Sequence, residues 1–212
     1  IAKAERESTS KKRPARAIRA TWQNLRFQQA DDHPVVLVTW NDANRFCAWL
    51  SEKEGRKYRL PTEAEWECAA RAGTQKRFLD SDDAYGSLPI GNLADASLKE
   101  SAPRHKRAAA ENDGYAFTAP VGRFRPNQFG LCDVLGNAAE LCADWYDPSY
   151  YTQSRENDPP GPAHGERHVA RGGSWLRLPL SVADRWPMPL IARNDWMGFR
   201  VACDVEPASR RP

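Results

Sequence analysis

The middle of the chain, residues 75–165, shows no helical period and is rich in Asp, Asn, Gly and Pro, which favour turns. So long an irregular stretch is uncommon inside a compact domain and needs other contacts to hold it. Bound cations, aromatic packing or a ligand supply such contacts. The 212 residues are enough to bury a core, and eight Trp, six Tyr and seven Phe provide large apolar area. We therefore predict a loop-rich fold stabilised by aromatic packing, bound cations or a ligand.

Two helices are predicted before this region. Asn41 is a plausible N-cap for the first helix, and Gly55 a plausible stop. The second helix begins at a capping box formed by Thr62 and Glu65 and ends at Gly73. The apolar stripe of the first helix consists of Ala43, Phe46, Cys47 and Leu50.

Short strands are predicted at residues 35–38, 120–123 and 140–145. Strand-like pieces return in the final third, in the stretches "HVARGGSW" and "MGFRVACDV". Two helices combined with several short strands indicate an α+β fold.

Composition excludes several classes of protein. The net charge of +3 is too small and too dispersed to indicate nucleic-acid binding. No apolar run is long enough to span a membrane. An odd number of cysteines without a C-x-x-C pair argues against a disulfide scaffold or a zinc ribbon, so we expect mostly buried thiols. The compartment stays open, with an extracytoplasmic location favoured. The cysteines are Cys47, Cys68, Cys132, Cys142 and Cys203.

The ends of the chain differ from its centre. Residues 1–20 are rich in Lys and Arg and poor in large apolar side chains, so they form either a solvated lead-in or a basic arm that contacts an acidic partner. Residues 21–205 form the predicted domain. Residues 206–212 are predicted to be a disordered tail.

Several stretches, in order, resemble the formylglycine-generating-enzyme or sulfatase-modifying-factor family. The resemblance implies that family's variant of the C-type lectin-like fold, with short antiparallel strands. The family's opening strand region is not recognisable before residue 20, so the domain is expected either to lack it or to start differently. The matching stretches are "HPVVLVTWNDANRFCAWLSEKEGRKYRLPTEAEWECAARAGT", "GNLADAS", "DGYAFTAPVGRFRPNQFGLCDVLGNAAELCADWYD", "ARGGSW" and "GFRVAC".

Oxygen-rich loops could hold calcium, which takes six to eight oxygen ligands. The resemblance implies two structural calcium sites, one or both of them occupied. The alternative is that these Asp and Asn residues form turns without metal. The first implied set is Asn92, the carbonyl of Leu93, Asp113 and the carbonyl of Tyr115. The second is Asp133, the carbonyls of Gly136 and Ala138, and Glu140.

The chain departs from the family at its oxidation chemistry. The resemblance implies two cysteines after the Gly-Gly-Ser turn that bind copper(I), a metal that prefers thiolates. The corresponding positions are Arg177 and Val182, and no cysteine lies between Cys142 and Cys203. No copper is therefore expected.

Iron is not expected either. Related sulfoxide synthases use histidine-ligated iron, but their histidines come largely from a helical domain that this sequence does not contain. His164 and His168 are spaced by four residues, yet Pro162 and Gly165 argue against a helix, so a surface loop is predicted. Ser174 has no hydrolase motif around it, and neither a P-loop nor a G-x-G-x-x-G occurs.

The segment 176–197 lies between two family-like stretches and combines Trp with Arg, the residues most enriched at interaction hot spots. We predict a binding surface there; the alternative is that its tryptophans are core residues and its Arg–Asp pairs are solvated. The predicted ligand-binding residues are Arg177, Ser181, Asp184, Arg185, Trp186, Arg193, Asn194, Asp195 and Trp196.

Three functions remain open. The leading hypothesis is a non-oxidising, lectin-like binding or accessory module with a protein, peptide or small-ligand partner. The second is a formylglycine-generating-type oxidoreductase that acts on a cysteine-containing peptide by other chemistry. The third is a structural subunit of a larger assembly.

Overall fold

A computed structural model describes residues 20–79, 81–82, 91–105, 108–177 and 181–205. All but the last residue of the predicted lead-in, and the whole predicted tail, lie outside these ranges. The helices are α1 (Trp40–Glu54), α2 (Glu63–Arg71) and α3 (Ala96–Ser101), with a 3₁₀ turn at Tyr150–Thr152. The strands are β1 (Tyr58–Arg59), β2 (Ala139–Trp145), β3 (Arg167–Arg171), β4 (Trp186–Pro189), β5 (Met197–Phe199) and β6 (Ala202–Cys203).

The main sheet has the order β4-β3-β2-β5, and β1 pairs separately with β6. Strand β3 runs antiparallel to both β2 and β4. The β2–β5 pair is parallel, with Ala139 opposite Met197 and Leu141 opposite Phe199. The predicted α+β fold is confirmed, and this one parallel pair departs from the predicted antiparallel pattern.

Apolar side chains cover both faces of the main sheet. On one face, Cys47 of α1 packs with Leu141 and Met197, and on the other Trp66 of α2 packs with Cys142 and Val169. Neighbouring residues of β2 point to opposite faces, so Leu141 and Cys142 belong to different clusters. The sheet is therefore the central layer, and α1 and α2 each bury one stripe against it.

The helix ends follow local chemistry. The predicted capping box of Thr62 and Glu65 is present. Helix α1 begins earlier than predicted, because Thr39 and Asp42 form a second capping box that displaces Asn41 as N-cap. At the end of α2, Ala72 adopts the left-handed conformation (φ 46°), one residue before the predicted Gly73.

Two predicted strands are wrong. Leu37 has φ 60°, which breaks an extended strand at residues 35–38, and its backbone N–H donates to the carbonyl of Asn194 (3.0 Å). Residues 120–123 form a turn closed by the Arg123 N–H on the carbonyl of Pro120. Helix α3 was not predicted from the sequence; it begins where the Asp95 carboxylate caps the backbone of Ser97.

Side-chain amides hold much of the irregular middle region. Asn137 accepts from the backbone N–H of Ala119 (2.9 Å) and donates to its carbonyl (3.1 Å). Asn127 donates to the carbonyls of Ala69 and Ala70 at the end of α2. Aromatic packing adds to this, since the Phe117 ring lies edge-on to Trp175 with centroids 5.2 Å apart. These contacts replace a regular hydrogen-bond ladder.

All five cysteines are free. Cys47 and Cys142 are buried, Cys132 and Cys203 are partly buried and Cys68 is exposed on α2, so the expectation of mostly buried thiols holds fully at only two positions. Among the residues that the structure describes, no helix has both the length and the apolar character to cross a membrane.

Candidate functional site

Arg171 at the end of β3 organises the chain after the Gly-Gly-Ser turn. Its side chain is fully buried. The guanidinium donates to the three successive carbonyls of residues 182–184, at 3.2, 2.8 and 3.0 Å. It also forms ion pairs with Glu63 (3.4 Å) and Glu67 of α2. A planar group with five donors can serve several acceptors at once, so one arginine fixes both the helix and the loop.

Arg185 shares Glu63 with Arg171. Its Nε and Nη2 lie 2.6 and 2.7 Å from the two Glu63 oxygens, and its guanidinium lies 5.0 Å from the Tyr146 ring and 4.9 Å from the Tyr151 ring. The Glu63 side chain is almost fully buried, so both arginines compensate one buried carboxylate. Arg185 is thus part of an internal charge network.

Asp144 adds a further carboxyl to this network. It is buried, and its Oδ2 accepts from the Glu63 backbone N–H at the start of α2 (2.7 Å). Burial, together with the nearby Glu63 charge, raises the pKa of Asp144 to about 6. Glu63 of α2 therefore lies close to a second carboxyl group, from β2, and the charge of Arg185 acts on both.

The two positions where the resemblance implies thiols have different environments. Val182 is completely buried in the core beside Trp66, and its N–H donates to the Arg77 carbonyl (2.9 Å). Arg177 is exposed, and its guanidinium lies 4.9 Å from the centre of the Trp186 ring. The site thus has an aliphatic core residue and a surface cation at these positions. Residues 178–180, between them, lie outside the described ranges.

The nine predicted ligand residues fall into smaller groups. Arg177 lies against Trp186, whose buried indole Nε1 has no acceptor among the described residues. Ser181 donates to Asp184 (3.2 Å). These two pairs are the parts of the predicted surface whose side chains the structure brings together directly.

The remaining residues of the segment contact the scaffold. Arg193 pairs with Asp42 at the start of α1 (3.1 Å). The backbone carbonyls of Asn194 and Asp195 accept hydrogen bonds from other parts of the fold, and Trp196 is half-buried against two core clusters. For Trp196, this geometry matches the alternative that it is a core residue.

The first candidate calcium set contains an acceptor without a donor. Asn92 is fully buried, and its Oδ1 has no hydrogen-bond partner among the described residues. The Asp113 oxygens accept from the backbone N–H groups of Leu93 (3.0 Å) and Tyr115 (2.9 Å). Burial, together with the charge of Asp95, raises the pKa of Asp113 to about 6. A free amide oxygen beside a carboxylate that is costly to ionise fits a hard cation.

The second candidate set is already partly engaged. Asp133 Oδ1 is buried without a donor among the described residues, while Oδ2 accepts from the Gly122 N–H (2.6 Å). Glu140 accepts from Arg200 at both oxygens (2.9 and 2.7 Å) and from Trp66 Nε1 (2.6 Å). These bonds occupy lone pairs that a cation would need, so the second set fits calcium less well than the first.

The prediction that His168 lies in a surface loop is wrong. The residue is buried on β3, where its ring stacks 3.8 Å from Trp40 and 4.0 Å from Trp145. Burial lowers its pKa. Within the described ranges, no three His, Cys, Asp or Glu side chains come together as a metal site. The strand-like stretch "HVARGGSW", which begins at His168, was the signal that could have placed His168 inside, since four successive residues of β3 are buried.

Arg171, Glu63 and Glu67, which hold residues 182–184 against the core, were not predicted from the sequence. An arginine that ends an apolar strand is a signal of a buried ion pair, because an unpaired buried charge is too costly. The partners of Arg171 could not be identified from the sequence, because both glutamates are more than one hundred positions away. Glu67 is separated from Arg171 by 104 residues.

Comparison with known proteins decides the family. The sulfatase-modifying factor enzyme 1-like domain matches residues 3–205. The chain belongs to this family. A formylglycine-generating enzyme from Streptomyces coelicolor is 42% identical over 182 residues, which are 82% of this chain and 54% of that protein.

Relatives also include a protein named as inactive. The mouse "Inactive C-alpha-formylglycine-generating enzyme 2" is 33% identical over 80% of this chain and 48% of its own length. The chain thus spans about half the length of these two curated relatives. Among solved structures, PvdO from Pseudomonas aeruginosa superposes with a TM-score of 0.70 at 34% identity, covering 85% of this chain and 66% of that one. The fold and the family are therefore shown, and the family includes both enzymes and an inactive member.

Proposed function

We propose that this chain is a non-oxidising binding or accessory module. It recognises a protein, peptide or small ligand through segment 176–197, chiefly through the side chains of Arg177 and Trp186. The observation that carries the proposal is the replacement of both implied thiols. Val182 is packed into the core, and Arg177 presents a guanidinium over an indole at the surface. Neither side chain binds copper(I) or exchanges disulfides.

The surroundings of this pair favour binding. A loop that contacts a partner binds better when it is already ordered, since less entropy is lost. Arg171 orders the carbonyls of residues 182–184 from within the core. The exposed Arg177 guanidinium is a cationic donor, so the preferred ligand presents acceptor or anionic groups.

An oxidoreductase of the formylglycine-generating type is the second candidate, because the 42%-identical Streptomyces relative carries that name. Metal analysis of the purified chain, together with an assay for oxidation of a cysteine-containing peptide, distinguishes the oxidoreductase from the binding module. Copper or iron near one per chain, with turnover of the peptide, would exclude the binding module. A role as a structural subunit would appear as a stoichiometric complex that does not depend on Arg177 or Trp186.

We expect Arg177→Ala and Trp186→Ala each to weaken partner capture from the native source by roughly tenfold or more, as hot-spot truncations do. Quantitative pull-down against the unmodified chain is the measurement. Arg56→Ala is the matched control, since Arg56 is also an exposed guanidinium over an aromatic ring, 5.7 Å from Tyr58. Unchanged capture in both site variants would argue against the surface.

We also propose that the first candidate set, Asn92 with the Leu93 carbonyl, Asp113 and the Tyr115 carbonyl, binds one structural calcium ion. Calcium would stabilise the loops by cross-linking them and would favour the ionised form of Asp113. We expect calcium at about 100 times its dissociation constant to stabilise the chain by about 2.7 kcal/mol.

Differential scanning calorimetry with and without a chelator checks this effect. The Asn92→Ala variant should lose the stabilisation by calcium. Asn112→Ala, which removes an exposed amide next to Asp113, should retain it. An equal calcium response in the two variants would contradict the assignment.

A further inference from the structure

Three of the four arginines between positions 171 and 193 are compensated by carboxylates of the scaffold. These pairs are Arg171 and Arg185 with Glu63, and Arg193 with Asp42. The fourth arginine, Arg177, lies against the Trp186 ring, and its guanidinium has neither an ion pair nor a hydrogen bond among the residues that the structure describes. The positive charge of Arg177 is therefore available to a ligand.

The scaffold holds both members of the Arg177–Trp186 pair in place. The backbone N–H of Arg177 donates to the carbonyl of Ser174 (3.0 Å), and Ser174 is almost fully buried. Trp186 begins β4, pairs with Ala170 of β3 and packs against the core cluster on the α1 side of the sheet. A ligand therefore meets a pair that is already ordered, so less conformational entropy is lost on binding.

The contact with the indole leaves the hydrogen-bonding capacity of Arg177 unused. Its guanidinium lies over the Trp186 ring, 4.9 Å from the ring centre, and this contact supplies no acceptor for the five N–H donors. Pairs of these donors point in parallel, which is the arrangement that the two oxygens of a carboxylate accept. The ring also shields one side of the cation from water, and this shielding strengthens a charge-assisted hydrogen bond.

The charge at this surface matches one carboxylate. A phosphate ester carries a charge of about −2 and is usually bound by several cations or by the N-terminus of a helix. The described part of segment 176–197 has one arginine without a partner, and it forms strands and turns but no helix. A planar acceptor with a single negative charge satisfies that one guanidinium.

The edge of the sheet beside this surface disfavours recognition by an added strand. Strand β4 is an outer strand of the main sheet, and two of its four residues, Pro187 and Pro189, have no backbone N–H. A strand added at this edge would find few backbone donors. Recognition here therefore depends on side chains, chiefly on Arg177.

We infer that the Arg177–Trp186 surface selects a carboxylate, which accepts two parallel hydrogen bonds from the Arg177 guanidinium. The inference rests on the function proposed above and names the chemical class of its ligand. The carboxylate belongs either to an acidic residue of a partner polypeptide or to a small organic acid. A neutral amide binds less well, and a phosphate ester gains nothing from its larger charge.

NMR titration of the full chain tests this selectivity. The probes are acetate and three tripeptides blocked at both ends, which carry glutamate, glutamine or phosphoserine between two alanines. The Nε–H resonance of Arg177, assigned from its absence in Arg177→Lys, reports binding. We expect the glutamate peptide to shift this resonance saturably and to bind at least about fivefold more tightly than the glutamine peptide.

Two controls accompany the titration. Arg56 is the internal control, because its exposed guanidinium also lies over a ring, 5.7 Å from the centre of Tyr58, but the Glu54 carboxylate already accepts from that tyrosine's hydroxyl. Arg177→Lys keeps the charge and removes the planar fork. Followed at the Trp186 Nε1–H, it should bind the glutamate peptide at least about threefold more weakly, with an unchanged unfolding temperature.

Several results would overturn the inference. Equal binding of the glutamate and glutamine peptides would show that the carboxylate is not selected, and equal shifts at Arg56 would indicate unspecific charge pairing. Tighter binding of the phosphoserine peptide would identify a phosphate site, and undiminished binding by Arg177→Lys would show that the planar fork is not used.

The acetate probe identifies the source of the carboxylate. Binding of acetate as tight as that of the glutamate peptide would point to a small acid, and weaker binding of acetate to a polypeptide; both results support the inference. The pull-down with Arg177→Ala tests the proposed function separately. Capture that depends on Arg177, combined with equal binding of the peptides, would refute the carboxylate alone.

Discussion

Replacement of Arg171 by Leu is expected to lower the free energy of unfolding by about 3–5 kcal/mol, the cost of breaking a buried ion pair by removing one partner. The substitution leaves Glu63 with one arginine fewer and Glu67 without its buried partner. The carbonyls of residues 182–184 also lose their donor. Urea unfolding followed by tryptophan fluorescence measures the change.

A surface ion pair provides the control for this prediction. Arg59 makes two short hydrogen bonds to Glu65 (2.6 and 2.7 Å) and one to Asp204 (2.8 Å), but all three side chains are partly exposed. Since an exposed pair contributes about 1 kcal/mol or less, Arg59→Leu should cost about 2 kcal/mol or less. If the two variants lost equal stability, burial would not be the cause and the central role of Arg171 would be wrong.

Replacement of Gly136 by Ala should cost at least roughly 3 kcal/mol, because two penalties coincide. The residue has φ +81°, which disfavours any side chain. A Cβ there would also lie 2.2 Å from the Asn92 carbonyl oxygen and 2.9 Å from Leu93 Cδ2. The neighbouring backbone cannot move aside without disturbing the Asn92 loop.

Gly130→Ala separates these two penalties. Gly130 has φ +80°, but a Cβ there meets no atom within 4 Å. Only the backbone strain remains, about 1–2 kcal/mol. Thermal and urea unfolding of both variants would reveal the difference, and similar losses would mean that the close approach of residues 92 and 136 is not a constraint.

Local chemistry was readable from the sequence where it depends on neighbouring residues. The capping box of Thr62 and Glu65 and the stop at Gly55 are interactions within a few positions, and both are present. The same reasoning failed at residues 35–38. Their apolar run predicts a strand, but the positive φ of Leu37 turns the chain so that it bonds to Asn194.

The candidate site was predicted less completely than the fold. Trp–Arg content singled out segment 176–197, and the structure places Arg177 on Trp186 there. The sequence did not indicate that Arg185 forms an ion pair with the buried Glu63, because a charged residue on a loop is normally exposed to solvent. His168 was placed in a loop because Pro162 and Gly165 argue against a helix, and the indoles that stack on it lie on other elements, Trp40 on α1 and Trp145 on β2.

By itself the sequence determined the family and the two main helices, and it has Arg177 and Val182 where the resemblance implies thiols, because each of these depends on which residue stands at a position or near it. Only the tertiary structure decided which charges are buried and which surfaces remain open. Arg171 meets Glu67 across 104 positions, and Arg177 lies against Trp186. Such contacts depend on how distant elements pack, and local patterns carry no information about that packing.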